Sequence, residues 1–110
     1  GHYVANGEIN GVPVIFLVDT GATGVAIPNS IAKTLAVPIG RALNTKTAAG
    51  NTIAYLSRLD TVRIGEIVLR DVEAAVVPEM ESDYILLGMS FLKHIEFIQK
   101  DGFLTLRQKN

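Results

Sequence analysis

A carboxylate stands at the junction of two apolar segments in the stretch FLVDTGATGVAIP, residues 16–28. Asp19 follows the triplet Phe-Leu-Val and precedes Thr20 and Gly21. Burying an unpaired charge is unfavourable, so the position of Asp19 needs a reason. One reason is local, because an aspartate before Thr-Gly can form an Asx turn and cap a loop. The other is chemical, because a carboxylate can take a proton from water or donate one to a carbonyl oxygen.

Two observations favour the chemical interpretation. At average residue usage, the tetrapeptide Asp-Thr-Gly-Ala at residues 19–22 would arise by chance in roughly one chain of this length in several hundred. Apolar segments flank it, and a later Ile-Leu-Leu-Gly at residues 85–88 stands before a helix-like pattern. Together they make a coincidence rarer still. Asp19 is therefore the candidate catalytic residue.

The elements that must position Asp19 are mostly strands. Apolar and β-branched segments recur at short intervals, and two-residue hairpin turns are predicted at Asn10-Gly11 and Asp101-Gly102. A longer hairpin is predicted over residues 44–65, with a tip of small and polar residues, AAGN. This pattern predicts an all-β fold, a small closed β-barrel with one or two short helices.

Helical signals are confined to two short segments. In residues 25–38, Asn29 or Ser30 is the predicted N-cap, and the helix is expected to end before Pro38. The second short helix is predicted in residues 89–95, directly after the Ile-Leu-Leu-Gly segment.

Composition limits the kind of protein. With 110 residues, the chain is long enough for one core, so residues 1–110 are predicted to form a single domain. Its 10 basic and 11 acidic residues form no basic block, which argues against a nucleic-acid partner. It has no cysteine, and no cluster of His and carboxylate residues has metal-ligand spacing, so neither a metal nor a cofactor is expected. The first residue is Gly1, so a membrane-anchored or bacterial periplasmic location would require a removed upstream segment.

Three segments in a fixed order resemble the retropepsin-like aspartic proteases. LVDTGA, residues 17–22, resembles the catalytic loop of that family, and AAGN, residues 48–51, resembles its flap tip. ILLGMSFLKHI, residues 85–95, resembles its second glycine motif and the helix that follows. The match covers nearly the whole chain and is most similar to the bacterial single-domain branch. It implies the acid-protease type of closed β-barrel.

The resemblance implies an aspartic endopeptidase that works as a homodimer. Two carboxylates that share one proton can serve as base and acid in peptide hydrolysis, because like charges so close cannot both ionise. The chain has a single Asp-Thr-Gly, since Asp83 lacks the following Thr-Gly, so the second carboxylate must come from another copy. In the family, the residue at the position of Thr20 bonds across the dimer axis, and Gly21 allows a tight turn. The terminal strand, residues 103–108, and the region of residues 2–4 are the expected interface.

The resemblance also implies a cleft for an extended polypeptide. The hairpin tip would close over the peptide as a flap and exclude water, and the peptide would lie as an added strand. Aliphatic subsite walls imply hydrophobic residues on both sides of the scissile bond, although core packing is the alternative role for several wall residues. The residues expected to contact substrate are Leu17, Ala22, Ala48, Ala49, Gly50, Asn51, Tyr84 and Leu86.

Ala22 predicts the pH range of activity. Pepsin-type chains often carry Ser at this position, where its hydroxyl donates to the carboxylate and favours the ionised form. Alanine cannot donate, so the expected optimum is weakly acidic to neutral.

Two other functions stay open at this point. The domain could be a weakly active or inactive module for peptide binding or dimerisation, or the regulatory part of a membrane-anchored protein. The retained Asp-Thr-Gly-Ala argues against a purely structural role, because a barrel needs no carboxylate at that position.

Overall fold

The computed structural model describes residues 2–19, 21–47, 50–101 and 103–109. Strands dominate these residues, and the two helices are short. The elements in chain order are β1 (His2–Ile9), β2 (Val12–Asp19), β3 (Val25–Pro28), α1 (Asn29–Leu35), β4 (Ala42–Thr47), β5 (Gly50–Ile64), β6 (Ile67–Val77), β7 (Ile85–Leu87), α2 (Met89–Leu92), β8 (Ile95–Lys100) and β9 (Phe103–Gln108). Neither helix has the length and apolar character needed to cross a membrane, within the part of the chain that is described.

Six strands close into a barrel. Their order is β1-β2-β7-β3-β6-β5, and β5 pairs back with β1 to complete the ring. Strand β4 lies outside the ring as the second arm of a hairpin with β5, while β8 and β9 form a separate two-stranded sheet. The predicted all-β barrel with short helices is confirmed.

Closure of the barrel depends on a glycine in β1. Gly7 is in register with Val14 of β2 on one side and with Ile64 of β5 on the other. A Cβ at residue 7 would collide with the carbonyl oxygen of Arg63 and lie 2.6 Å from the ring of Phe16. The missing side chain therefore lets β5 approach β1 directly over the buried Phe16 ring.

Alternation along β2 explains how an aspartate follows a buried strand. Phe16 and Val18 point into the barrel and are 0% and 1% exposed, whereas Leu17 and Asp19 are only half-buried. Since successive side chains on a strand point to opposite faces, Asp19 lies on the outer face of the barrel. Its carboxylate is at the core boundary and not inside it.

The predicted turn at Asn10-Gly11 and the two short helices are found, with one correction. Asn10 and Gly11 have φ values of 51° and 82°, the left-handed pair that a tight hairpin turn requires. The prediction that Asn29 or Ser30 caps α1 is wrong, because Pro28 holds the N-cap position and no side chain caps the helix. Pro28 still pairs with Val77 of β6, so the strand runs directly into the helix. Gly102 of the last predicted turn lies outside the described residues.

Candidate active site

Asp19 ends β2 and turns its carboxylate back onto the loop that follows. The N–H of Gly21 donates a 2.8 Å hydrogen bond to Asp19 Oδ1, and the N–H of Ala22 donates one of 3.2 Å to the Asp19 carbonyl oxygen. Among the described residues, no other hydrogen bond or ion pair reaches this carboxylate. The loop thus orients the carboxylate without neutralising it.

Gly21 is needed for close approach, not for an unusual backbone conformation. Its φ angle lies outside the left-handed region that Gly11 and Gly50 occupy. A Cβ at residue 21 would lie 3.2 Å from Asp19 Oδ1, which is tighter than an ordinary contact. A side chain here would therefore press on the carboxylate that the same residue's N–H orients.

The rest of this loop is held by the segment that follows β7. The N–H groups of Gly88, Met89 and Ser90 donate to the carbonyl oxygens of Gly24, Ala22 and Thr23, at 2.9, 2.9 and 2.8 Å. Three consecutive N–H groups therefore bind three consecutive carbonyls. The sequence signal for this clamp was the Ile-Leu-Leu-Gly segment, but sequence reasoning did not select its glycine as a site residue.

A cleft of about 1160 Å³ opens beside Asp19 on the outer face of the barrel. Part of its floor is a row of apolar side chains in register across four strands: Leu86 with Ala26, Ala26 with Ala75, and Ala75 with Leu56. The two central residues of this row are alanines, and their short side chains leave space in the cleft above them. Residues of the β4–β5 hairpin and of the turn after β6 also line the cleft.

The cleft includes several of the residues predicted to bind substrate and leaves out others. Asp19, Gly21, Ala22 and Leu86 line it, whereas Leu17, Gly50, Asn51 and Tyr84 do not. Leu17 continues the floor row, because it is in register with Leu86. Tyr84 is 39% exposed. Thr20, Ala48 and Ala49 lie outside the described residues, so the predictions made for them stay predictions.

The predicted flap corresponds to the end of the β4–β5 hairpin. Pairing of the two strands runs up to Thr47 and Gly50, on either side of residues 48–49. Gly50 has a φ of 116°, which a side chain would disfavour. Further down the hairpin, Leu43, Thr45 and Thr52 line the cleft.

Sequence reasoning missed the charged residues of the cleft. Lys46, Glu73 and Glu79 line it, and the hydroxyl of Thr52 donates a 2.8 Å hydrogen bond to Glu79 Oε2. No local motif marks these residues, since Thr52 and Glu79 meet only after β5 and β6 have paired.

Comparison with known proteins agrees with this geometry. The family model of the gag-polyprotein putative aspartyl proteases matches residues 5–94, which include the Asp19 loop, the hairpin and the 88–90 clamp. The chain belongs to this family. Structures similar to it are retropepsin-like aspartic proteases.

Three similar proteins put this family membership in context. The crystal structure of a retropepsin-like aspartic protease from Rickettsia conorii has a TM-score of 0.71 and 28% identity, covering 96% of this chain and 81% of that one. EIAV protease complexed with an inhibitor has a TM-score of 0.69 and 19% identity over 84% of this chain and 86% of that one, and shows the fold alone. An uncharacterised Sinorhizobium protein from the cobV 5′ region is 31% identical over 102 residues. Those residues are 90% of this chain but only 44% of the Sinorhizobium protein.

Proposed function

We propose that residues 1–110 form one protease domain, which as a homodimer is an aspartic endopeptidase with an Asp19 from each subunit. The observation that carries this proposal is the position of the Asp19 carboxylate. It is half-buried, oriented by the Gly21 N–H at 2.8 Å, and placed at the edge of a cleft with an apolar floor. A carboxylate that only capped its loop would need no cleft beside it.

The chemistry requires two such carboxylates. One takes a proton from the attacking water while the other donates a proton to the carbonyl oxygen of the scissile bond. The second must come from another chain, because the sequence contains a single Asp-Thr-Gly. In a C2 dimer, Asp19 would face its own symmetry mate. Two carboxylates that face each other this closely would share one proton, because their like charges repel.

The loop and the hairpin have separate roles in this mechanism. The Gly21 N–H fixes the carboxylate, and the 88–90 clamp fixes the loop, so the pair does not have to be ordered when substrate binds. The β4–β5 hairpin would cover an extended polypeptide above the floor of Ala26 and Ala75 and exclude water.

The direct test compares native protein with Asp19→Asn in cleavage of a peptide library, alongside sedimentation of both. We expect the native chain to sediment as a dimer and cleave, and the variant to sediment equally but cleave at least about a hundredfold more slowly. Asp83→Asn is the matched control, because Asp83 is exposed and does not line the cleft. A native dimer that cuts nothing, or an Asp19→Asn protein that cuts as well as native, would refute the protease. A dimer that binds peptides without cutting them would instead be a binding module.

Mixing the two proteins tests the shared pair. If each active dimer needs both Asp19 residues, an equal mixture of native and Asp19→Asn subunits, allowed to exchange, retains only about a quarter of its dimers with a complete pair. The activity should therefore fall to about a quarter of that of undiluted native protein, and below the half expected if each subunit acted alone.

A further inference from the structure

The charges that line the cleft are unbalanced. Besides Asp19, the described residues of the cleft include the carboxylates of Glu73 and Glu79 and the ammonium of Lys46. The ion pairs of the described chain are Arg58–Asp71 and Arg107–Glu96, and neither includes a glutamate of the cleft, although Arg58 is in register with Glu73. Neither glutamate of the cleft therefore has a cation as its partner within these residues.

Glu79 is the better placed of the two glutamates to bind a ligand. The Thr52 hydroxyl holds its Oε2 at 2.8 Å, which limits the rotation of the carboxylate. No other hydrogen bond reaches Glu79 from the described residues, so Oε1 remains available to an N–H donor. The bond also joins the β4–β5 hairpin to the turn after β6, so the Glu79 carboxylate is held at the wall of the cleft.

The cleft suits a peptide side chain better than a metal ion. No group of three or more His, Asp or Glu side chains that could hold a metal occurs in the described ranges. Glu73 lies on β6 four residues before Val77, which corresponds to about 13 Å of strand, while Glu79 lies in the turn beyond. The two carboxylates are thus spaced along the wall and do not converge on one point. Between them, Ala75 and Val77 present an apolar surface.

We infer that Glu79 selects peptide substrates carrying a lysine or arginine a short distance from the apolar residues at the scissile bond. This inference rests on the proposed function and specifies its substrate class. The apolar floor takes the hydrophobic side chains, and the open oxygen of Glu79 accepts a charge-assisted hydrogen bond from the cation. Arginine and lysine both supply such a donor on a long apolar stem that can lie along the floor.

The experiment scans one lysine through a cleavable peptide, with norleucine at the same position as the neutral reference. We expect one or two positions at which the lysine peptide has the higher kcat/KM, by about fivefold, the ratio that corresponds to an exposed ion pair of about 1 kcal/mol. Glu79→Gln keeps an acceptor for Thr52 and removes the charge, so this ratio should fall to about one. Glu81→Gln is the matched control, since Glu81 is exposed in the same segment but does not line the cleft, and it should leave the ratio unchanged.

Salt provides a second readout that a purely steric role would not change. In the native protein the ratio should fall as ionic strength rises, whereas in Glu79→Gln it should be insensitive to salt. A native ratio near one at every position overturns the inference. If the preference survives Glu79→Gln but is lost in Glu73→Gln, the assignment to Glu79 is wrong.

A binding measurement separates this inference from the proposed function. Affinities of the same lysine and norleucine peptides for Asp19→Asn can be measured without cleavage, with and without the added Glu79→Gln change. A Glu79-dependent preference for lysine in this assay, with no cleavage by native protein, would refute the protease and keep the specificity. Cleavage by native protein without a preference for lysine would keep the protease and refute the role given to Glu79. If the protein neither binds nor cleaves any peptide, both fail.

Discussion

The N–H of Gly88 donates a 2.9 Å hydrogen bond to the carbonyl oxygen of Gly24, and a Cβ at residue 88 would lie 2.6 Å from that same oxygen. The two backbones are therefore in direct contact. The same Cβ would lie 2.7 Å from the Ala22 carbonyl, so there is no flexible side chain that could move away. The clamp that holds the Asp19 loop consequently requires glycine at residue 88.

Replacing this glycine should destabilise the fold and the loop together. For Gly88→Ala we expect the free energy of unfolding to fall by about 1–3 kcal/mol, because backbone must shift to admit the methyl group. Denaturant unfolding measures it. Gly24→Ala is the matched control, since a Cβ there meets only Ser90 Oγ at 3.9 Å, and its stability should stay within about 0.5 kcal/mol of native. If both variants lost the same free energy of unfolding, the requirement for glycine at residue 88 would be wrong.

A methyl group at residue 21 should affect activity far more than stability. Gly21 is exposed, so Gly21→Ala should change the free energy of unfolding by no more than about 0.5 kcal/mol. The new Cβ at 3.2 Å would displace the Asp19 carboxylate by a few tenths of an ångström, and we expect kcat to drop about tenfold or more. Steady-state kinetics and thermal unfolding on the same preparation separate the two effects. Native-like kcat would mean that the orientation of this carboxylate is not limiting.

A hydroxyl at residue 22 should move the pH profile. A serine donor favours an ionised carboxylate, so in Ala22→Ser the acid side of the kcat/KM profile should shift to lower pH than in the native protein. For the native protein itself we expect an optimum in the weakly acidic to neutral range. Ala42→Ser, on the exposed side of β4, should leave the profile in place. A native optimum that is already strongly acidic would contradict the role given to Ala22.

Replacing Ser57 with alanine should stabilise the protein. It is 7% exposed in β5, and its hydroxyl oxygen has no hydrogen-bond partner among the described residues. Removing an unsatisfied buried polar group relieves its desolvation penalty, so Ser57→Ala should raise the free energy of unfolding by about 1 kcal/mol. Ser82→Ala should have the opposite sign, because Ser82 Oγ accepts the Tyr84 N–H at 3.0 Å. Thermal unfolding of both variants checks the prediction.

Features governed by neighbouring residues could be predicted from the sequence. The hairpin at Asn10-Gly11 follows from the need for two positive φ angles, which these residue types adopt readily. Short apolar segments marked the strands, and Asp19 stood out because it follows three consecutive apolar residues. The N-cap of α1 was missed for a tertiary reason, since pairing with β6 extends β3 to Pro28 and leaves no turn in which a side chain could cap the helix.

Features that depend on distant pairings could not be predicted in this way. The role of Gly7 becomes visible only when β5 lies against β1, and that of Gly88 only when its N–H meets Gly24. The bond between Thr52 and Glu79 likewise joins segments with no local relationship. Family resemblance supplied the candidate catalytic loop and the predicted flap, but the charges of the cleft are not part of any motif that was recognised.

The 88–90 clamp also determines when the site can come into existence. Residues 22–24 are synthesised before the N–H groups that bind their carbonyls, which follow β7 in the chain. A growing chain therefore carries Asp19 without the contacts that order its loop until residues 88–90 have been made. The order of synthesis thus places the proposed two-chain site after the folding of each chain past residue 90.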